Sequence, residues 1–308
     1  MDASLRSVVA MALVFVLAQL GAILLLATVL GEQYAAFENP NDPLIPILYI
    51  ILMVAFTFVV LYIIKKHREN IVRIVFLGAV GFTIFYVLLV AMTIVDTGWI
   101  ALTVSVALTA VLTYYLLKKP EWYVIDAAGI LVAVGVIGIF GISLSILPVM
   151  ILLIALAVYD AISVYGTKHM VALADGVTQM KLPILLVIPK KKSYSYLTQK
   201  PLKQQLDEGS EREAMFMGLG DIIIPGVLMA SAYSFLPAEH FGGVPGNLVV
   251  ALGTIIGSMI GFAVLMRFVL KGNPQAGLPL LNGGAIIGYL ISYLIVFQNL
   301  SFGMSLPW

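Results

Sequence analysis

The sequence predicts an all-α, polytopic membrane protein of nine transmembrane helices, with a cytoplasmic N-terminus and an external C-terminus. Three observations predict it: a strongly apolar composition, nine apolar runs of spanning length, and basic residues confined to alternate connections. Apolar residues make up 61% of the 308 residues and charged residues 11%, with a mean hydropathy of +1.07. Soluble domains are nearer ~45–50% apolar and ~25% charged, so the bilayer is the solvent here. There are no cysteines, which removes disulfides, thiolate metal sites and a cysteine nucleophile.

A helix needs about 17–25 apolar residues to cross a bilayer. The runs are Val8–Leu30, Ile45–Ile64, Ile74–Val95, Trp99–Leu117, Ala127–Leu144, Leu147–Tyr165, Ala214–Leu236, Leu248–Leu270 and Leu278–Leu300. The first is too long for a signal-peptide core and lacks a clear cleavage site, so it reads as retained. All 17 basic residues fall on one side of this nine-span plan. Arg6 precedes the first run, Lys65, Lys66, Arg68 and Arg73 lie between the second and third, and Lys118 and Lys119 between the fourth and fifth. Eight more lie between the sixth and seventh, Arg267 lies at the end of the eighth run and Lys271 between the last two. Glu32, Glu38, Asp42, Asp96 and Glu239 occupy the other side. Basic loops stay in the cytoplasm, which sets the orientation.

Three regions follow: a six-helix block over 1–166, a cytoplasmic connection over 167–213, and a three-helix block over 214–308. Within the connection, Leu182–Pro189 is apolar but too short to span. It reads as a surface-lying or re-entrant piece, with a β-strand edge offered to an extended peptide as the alternative. Lys190–Lys192 reads as an anchor to anionic lipid rather than a nucleic-acid site.

Among the sixteen acidic residues, only Asp160 and Asp221 fall well inside predicted spans. Asp126 is placed at the cytoplasmic mouth of the fifth helix. An ionised carboxylate at the bilayer centre costs ~2.5–3.5 kcal/mol, and no span holds a Lys or Arg deep inside it, Arg267 lying at the end of the eighth run. Asp160 lies eight residues before Lys168 and Asp221 nine after Arg212. At helical rise both are roughly 12–14 Å from the basic boundary, on antiparallel neighbours, so they can face each other. Two carboxyls in contact share a proton. The protonated one polarises a peptide carbonyl while the other takes a proton from water. Such chemistry requires no metal and no cofactor.

The surrounding residues suit such a site. Gly218 and Gly220 remove side chains just before Asp221, allowing close backbone approach. Pro225 cannot donate to the carbonyl of Asp221, which loosens that helix. Tyr159 offers a hydroxyl.

Tyr159-Asp160 and Gly218-Leu219-Gly220-Asp221 resemble the YD and GxGD motifs of presenilins and signal peptide peptidases, the GxGD intramembrane aspartyl proteases. The nine-helix plan and the long connection after the sixth helix are similar too. The resemblance implies that Asp160 and Asp221 are catalytic, with Tyr159, Gly218, Leu219 and Gly220 supporting them. It also implies a PAL motif that opens helix 9 and helps to position substrate. Pro279-Leu280-Leu281 stands there, its central alanine replaced; an alternative alignment uses Ala276-Gly277-Leu278. The implied partners are transmembrane-helix substrates in the bilayer, with homo-oligomers or accessory subunits undecided. The compact loops resemble a microbial presenilin homologue of the cell membrane.

The rival reading is a cation- or proton-coupled transporter or channel whose ion path uses the two acids. It predicts inverted repeats, yet Gly218–Asp221 has no counterpart in the first half. Gly253, Gly257 and Gly261, like Gly284 and Gly288, are spaced by four and read as helix-packing faces.

Overall fold

The apolar runs become nine α-helices among the residues that the computed structural model describes: 3–28, 34–66, 69–95, 98–167, 183–191, 194–198, 213–271 and 275–304. In chain order they are α1 (Ala3–Thr28), α2 (Leu44–Lys65), α3 (Glu69–Met92), α4 (Trp99–Lys118), α5 (Trp122–Ser143), α6 (Ile146–Ile162), α7 (Leu219–Phe235), α8 (Gly246–Leu270) and α9 (Gly277–Phe297). Seven are long and apolar enough to cross a membrane. The apolar stretches Leu44–Val60 of α2 and Leu219–Phe235 of α7 are shorter. Much of the predicted connection, including Lys168 and Arg212, lies outside the described residues.

Two expectations need correction. The seventh helix does not begin at Ala214: residues Ala214–Gly218 form strand β2, and α7 starts at Leu219. For the segment before Lys190, the strand alternative holds over the surface-lying or re-entrant piece: it contains strand β1 (Leu185–Pro189), which pairs antiparallel with β2 from Leu185↔Gly218 to Pro189↔Ala214. The chain is therefore not purely α. Backbone donors and acceptors in an apolar setting must be satisfied internally, and each strand does this for the other. The depth of Asp221 consequently cannot be counted from Arg212 at helical rise.

Contacts divide the chain into two compact units. The first combines Met1–Val14, Ala55–Gly135 and Lys168–Leu219; the second combines Phe15–Val54, Val136–Thr167 and Gly220–Trp308.

In the first unit, Ile84, Leu116, Ile125 and Val187 belong to one buried cluster with Tyr196 and Ala214. The ladder continues beyond the strands, with Leu219 N donating to Ile184 O and Lys190 N to Glu213 O. This register turns the N–H and C=O of Leu185, Val187 and Pro189 away from β2. That outer edge is occupied. Val187 N donates to Asp126 Oδ1 at 2.7 Å, and Ser7 Oγ donates to Pro189 O at 3.1 Å. Pro189 lacks an N–H, which costs the ladder nothing on this side. Glu121 adds a second anchor, accepting from Ser195 Oγ and Tyr196 N. Burial, and then the Asp126 carboxylate, push the Tyr196 phenol up to about 12, so it stays neutral in the core.

Asp126, the fifth residue of α5 and 7% exposed, is thus a buried strand anchor at the start of its helix. Asp126→Leu is expected to destabilise the protein by about 1–3 kcal/mol, because Val187 N–H loses its acceptor without gaining water. Asp126→Asn keeps an acceptor oxygen and should be milder. Unfolding midpoints in detergent check this, and equal midpoints for the two variants would contradict it.

In the second unit, α8 and α9 pack through backbone. A Cβ on Gly257 would lie 2.2 Å from Gly284 O and 2.7 Å from Gly288 Cα, and one on Gly261 would lie 2.2 Å from Leu280 O. Only glycine permits this approach, as the four-residue spacing predicts. Helix α7 meets α5 similarly, at Gly141 against Ala230 and at Gly226 against Ile137.

Candidate active site

Three helix ends of the second unit carry the site. Asp160 is the third-last residue of α6, Asp221 the third of α7, and Gly277 the first of α9. Asp160 is 5% exposed. Its Oδ2 accepts the Leu278 N–H at 3.0 Å, one of the first-turn donors that a helix leaves without an internal partner. The Asp221 carboxylate lies over the preceding residue: a Cβ on Gly277 would be 3.2 Å from Asp221 Oδ1 and 3.4 Å from Cγ and Oδ2. Both carboxylates therefore meet one turn of backbone, Gly277–Leu278.

Local sequence explains the placement. Ser163 N donates to the carbonyls of Asp160 and Tyr159, and the chain then forms a π-helical turn over Ser163–Thr167. At the start of α7, Pro225 deprives the Asp221 carbonyl of its helical donor. Gly218 closes β2, and Leu219 is buried with its side chain against Gly129. A Cβ on Gly220 would meet nothing within 4 Å among the described residues.

Of the residues expected to contact substrate, Leu280 turns its carbonyl to Gly261 and Leu281 is fully buried. The backbone that reaches the carboxylates belongs to the other alignment, Ala276-Gly277-Leu278. Among the described residues, no three His, Cys, Asp or Glu side chains gather as a metal site.

A sequence model of the family described as "Signal-peptide peptidase, presenilin aspartyl protease" matches residues 11–298. The chain belongs to this family. The chain is similar to two crystal structures of a presenilin family intramembrane aspartate protease. One, in space group C222, is 33% identical with a TM-score of 0.69, covering 94% of this chain and 99% of that one. The other, in space group P2, is 34% identical with a TM-score of 0.64, covering 93% and 97%. The comparison with curated proteins returned no match.

Sequence reasoning singled out Asp160 and Asp221 in the protease but not the further residues of its site. Gly277, which meets Asp221, carries signal only as one letter of the alternative motif. Its place beside a carboxylate depends on α6, α7 and α9, whose ends are distant in sequence.

Proposed function

We propose that this intramembrane aspartyl protease uses Asp160 and Asp221 as a catalytic pair to hydrolyse peptide bonds within transmembrane segments of other membrane proteins. The observation that carries the reading is the meeting of both carboxylates on Gly277–Leu278. One carboxyl keeps a proton and hydrogen-bonds the scissile carbonyl oxygen. The other takes a proton from water, whose oxygen attacks the carbonyl carbon. Collapse of the resulting diol breaks the C–N bond, and the pair returns a proton to the leaving amine. Apparent pKa values of such a site belong to the pair.

A helical peptide bond is shielded, so the substrate must unwind and its freed backbone needs partners. The outer edge of β2, with the N–H and C=O of the partly exposed Phe216 and Gly218, supports strand addition as the holding device. The opposite edge is already occupied by Asp126 and Ser7. Open space at Gly220 supports backbone approach there. For substrate contact we assign Ala276-Gly277-Leu278 ahead of Pro279-Leu280-Leu281, because the former adjoins the carboxylates.

The test is incubation of the purified chain, in detergent or lipid, with a single-span membrane protein, followed by product mass measurement. A cut inside the apolar span is expected. Products cut only outside it would contradict the reading.

We also assign nine spans with the N-terminus cytoplasmic, on the basic-residue pattern and the nine apolar helices. The chain lacks cysteine, so single cysteines report sidedness directly. Lys66→Cys should react with an impermeant thiol reagent from the cytoplasm and Glu239→Cys from outside. The reverse pattern would overturn the orientation.

A further inference from the structure

We propose that Tyr165 and Gln275 form a latch that positions the aspartate pair, a role that rests on the protease reading above. The Tyr165 hydroxyl donates to Gln275 Oε1 and also accepts the Ala276 N–H at 3.4 Å. Thus the four residues Gln275–Leu278 meet, in order, Tyr165, then Asp221, then Asp160. One short stretch of backbone touches both carboxylates, and Tyr165 holds its leading end.

The π-helical turn gives Tyr165 this reach. In a regular α-helix, with 3.6 residues per turn, a residue five positions after Asp160 faces well away from it. The i→i+5 closure over Ser163–Thr167 brings Tyr165 back toward that face. Such turns recur at functional sites.

The seam between α6 and α9 is tied on both sides of Asp160. On one side Asn282 Nδ2 donates to Leu153 O at 2.9 Å, with Asn282 buried. On the other is Tyr165, 60% exposed. Only the Tyr165 tie lies at the protein surface, at the end of a candidate span. That tie governs whether Gln275–Leu278 stays against the carboxylates, while the buried one holds the helices together. Tyr165 is a positioning residue, since its contacts are to Gln275 and Ala276 and not to the reacting atoms.

Two measurements on the full-length chain test the latch. Hydrogen exchange needs no substrate: Tyr165→Phe should speed exchange of the amides at 276–278, with those of α8 unchanged. In the cleavage assay, Tyr165→Phe and Gln275→Leu should each lower kcat roughly tenfold, a displacement effect, with KM within about twofold. The double variant should lose no more than Tyr165→Phe alone, because that variant already removes the bond to Gln275 together with the Ala276 contact. Unchanged exchange in Tyr165→Phe would overturn the latch whatever the activity. Faster exchange with unchanged kcat would overturn its role in cleavage. Failure of the protease reading shows separately, as cleavage that survives Asp160→Asn.

Discussion

Gly277→Val is expected to lower cleavage about a hundredfold while the protein stays folded. The first side-chain carbon would sit 3.2 Å from Asp221 Oδ1, and two methyl groups beyond it must displace the carboxylate or the start of α9. Either movement separates Asp221 from the backbone that also binds Asp160, and misplacement by about 1 Å can cost a hundredfold in rate. Valine is tolerated in a helix's first turn, so the fold is not the target. Gly283→Val is the control on the same helix, because a Cβ there meets nothing within 4 Å among the described residues. Equal activity of the two variants would show that the Asp221–Gly277 approach has no part in catalysis.

Gly257→Leu should have the largest effect on stability. Its Cβ alone would lie 2.2 Å from Gly284 O and 2.9 Å from Gly288 N. Those atoms are backbone of a facing helix and cannot rotate aside. α8 and α9 would have to separate, breaking the paired contacts of Gly253 with Ser292 and of Gly261 with Leu280. Overpacking of this kind costs about 3 kcal/mol at the upper end of its usual range. Gly257→Ala should be less severe. A lowered unfolding midpoint graded from Ala to Leu is the expected result. Indifference to both would mean that the helices are not packed through this face.

The helices were legible because burial in lipid imposes a simple rule: a long apolar run with its backbone satisfied internally. Trp99 and Leu270 bound α4 and α8 where the composition predicts. The glycine faces were legible as well, since spacing by four leaves one stripe of a helix bare. Ala214–Gly218 was misread because Ala-Met-Phe-Met-Gly is apolar and runs without a break into α7. A short apolar run carries no periodicity that separates strand from helix. Only its partner, Leu185–Pro189, decides the matter. The anchoring role of Asp126 was hidden for the same reason: the strand it binds lies about sixty residues away along the chain.

At the site, the aspartates stood out because a charge in a predicted span demands a cause. Gly277 and Tyr165 did not, since neither residue type is unusual in a membrane helix or at its end. Their significance comes from Leu278 and Gly277 facing carboxylates carried by two other helices. Local sequence cannot state that relation.

The measurement that bears most directly on the central claim compares wild type, Asp160→Asn and Asp221→Asn on one single-span substrate, with the unfolding midpoint of each recorded. Asparagine keeps the shape and an acceptor oxygen but cannot exchange the proton. Cleavage within the span by wild type, abolished in both folded variants, is the predicted result. Cleavage that persists in either folded variant would contradict a two-aspartate mechanism.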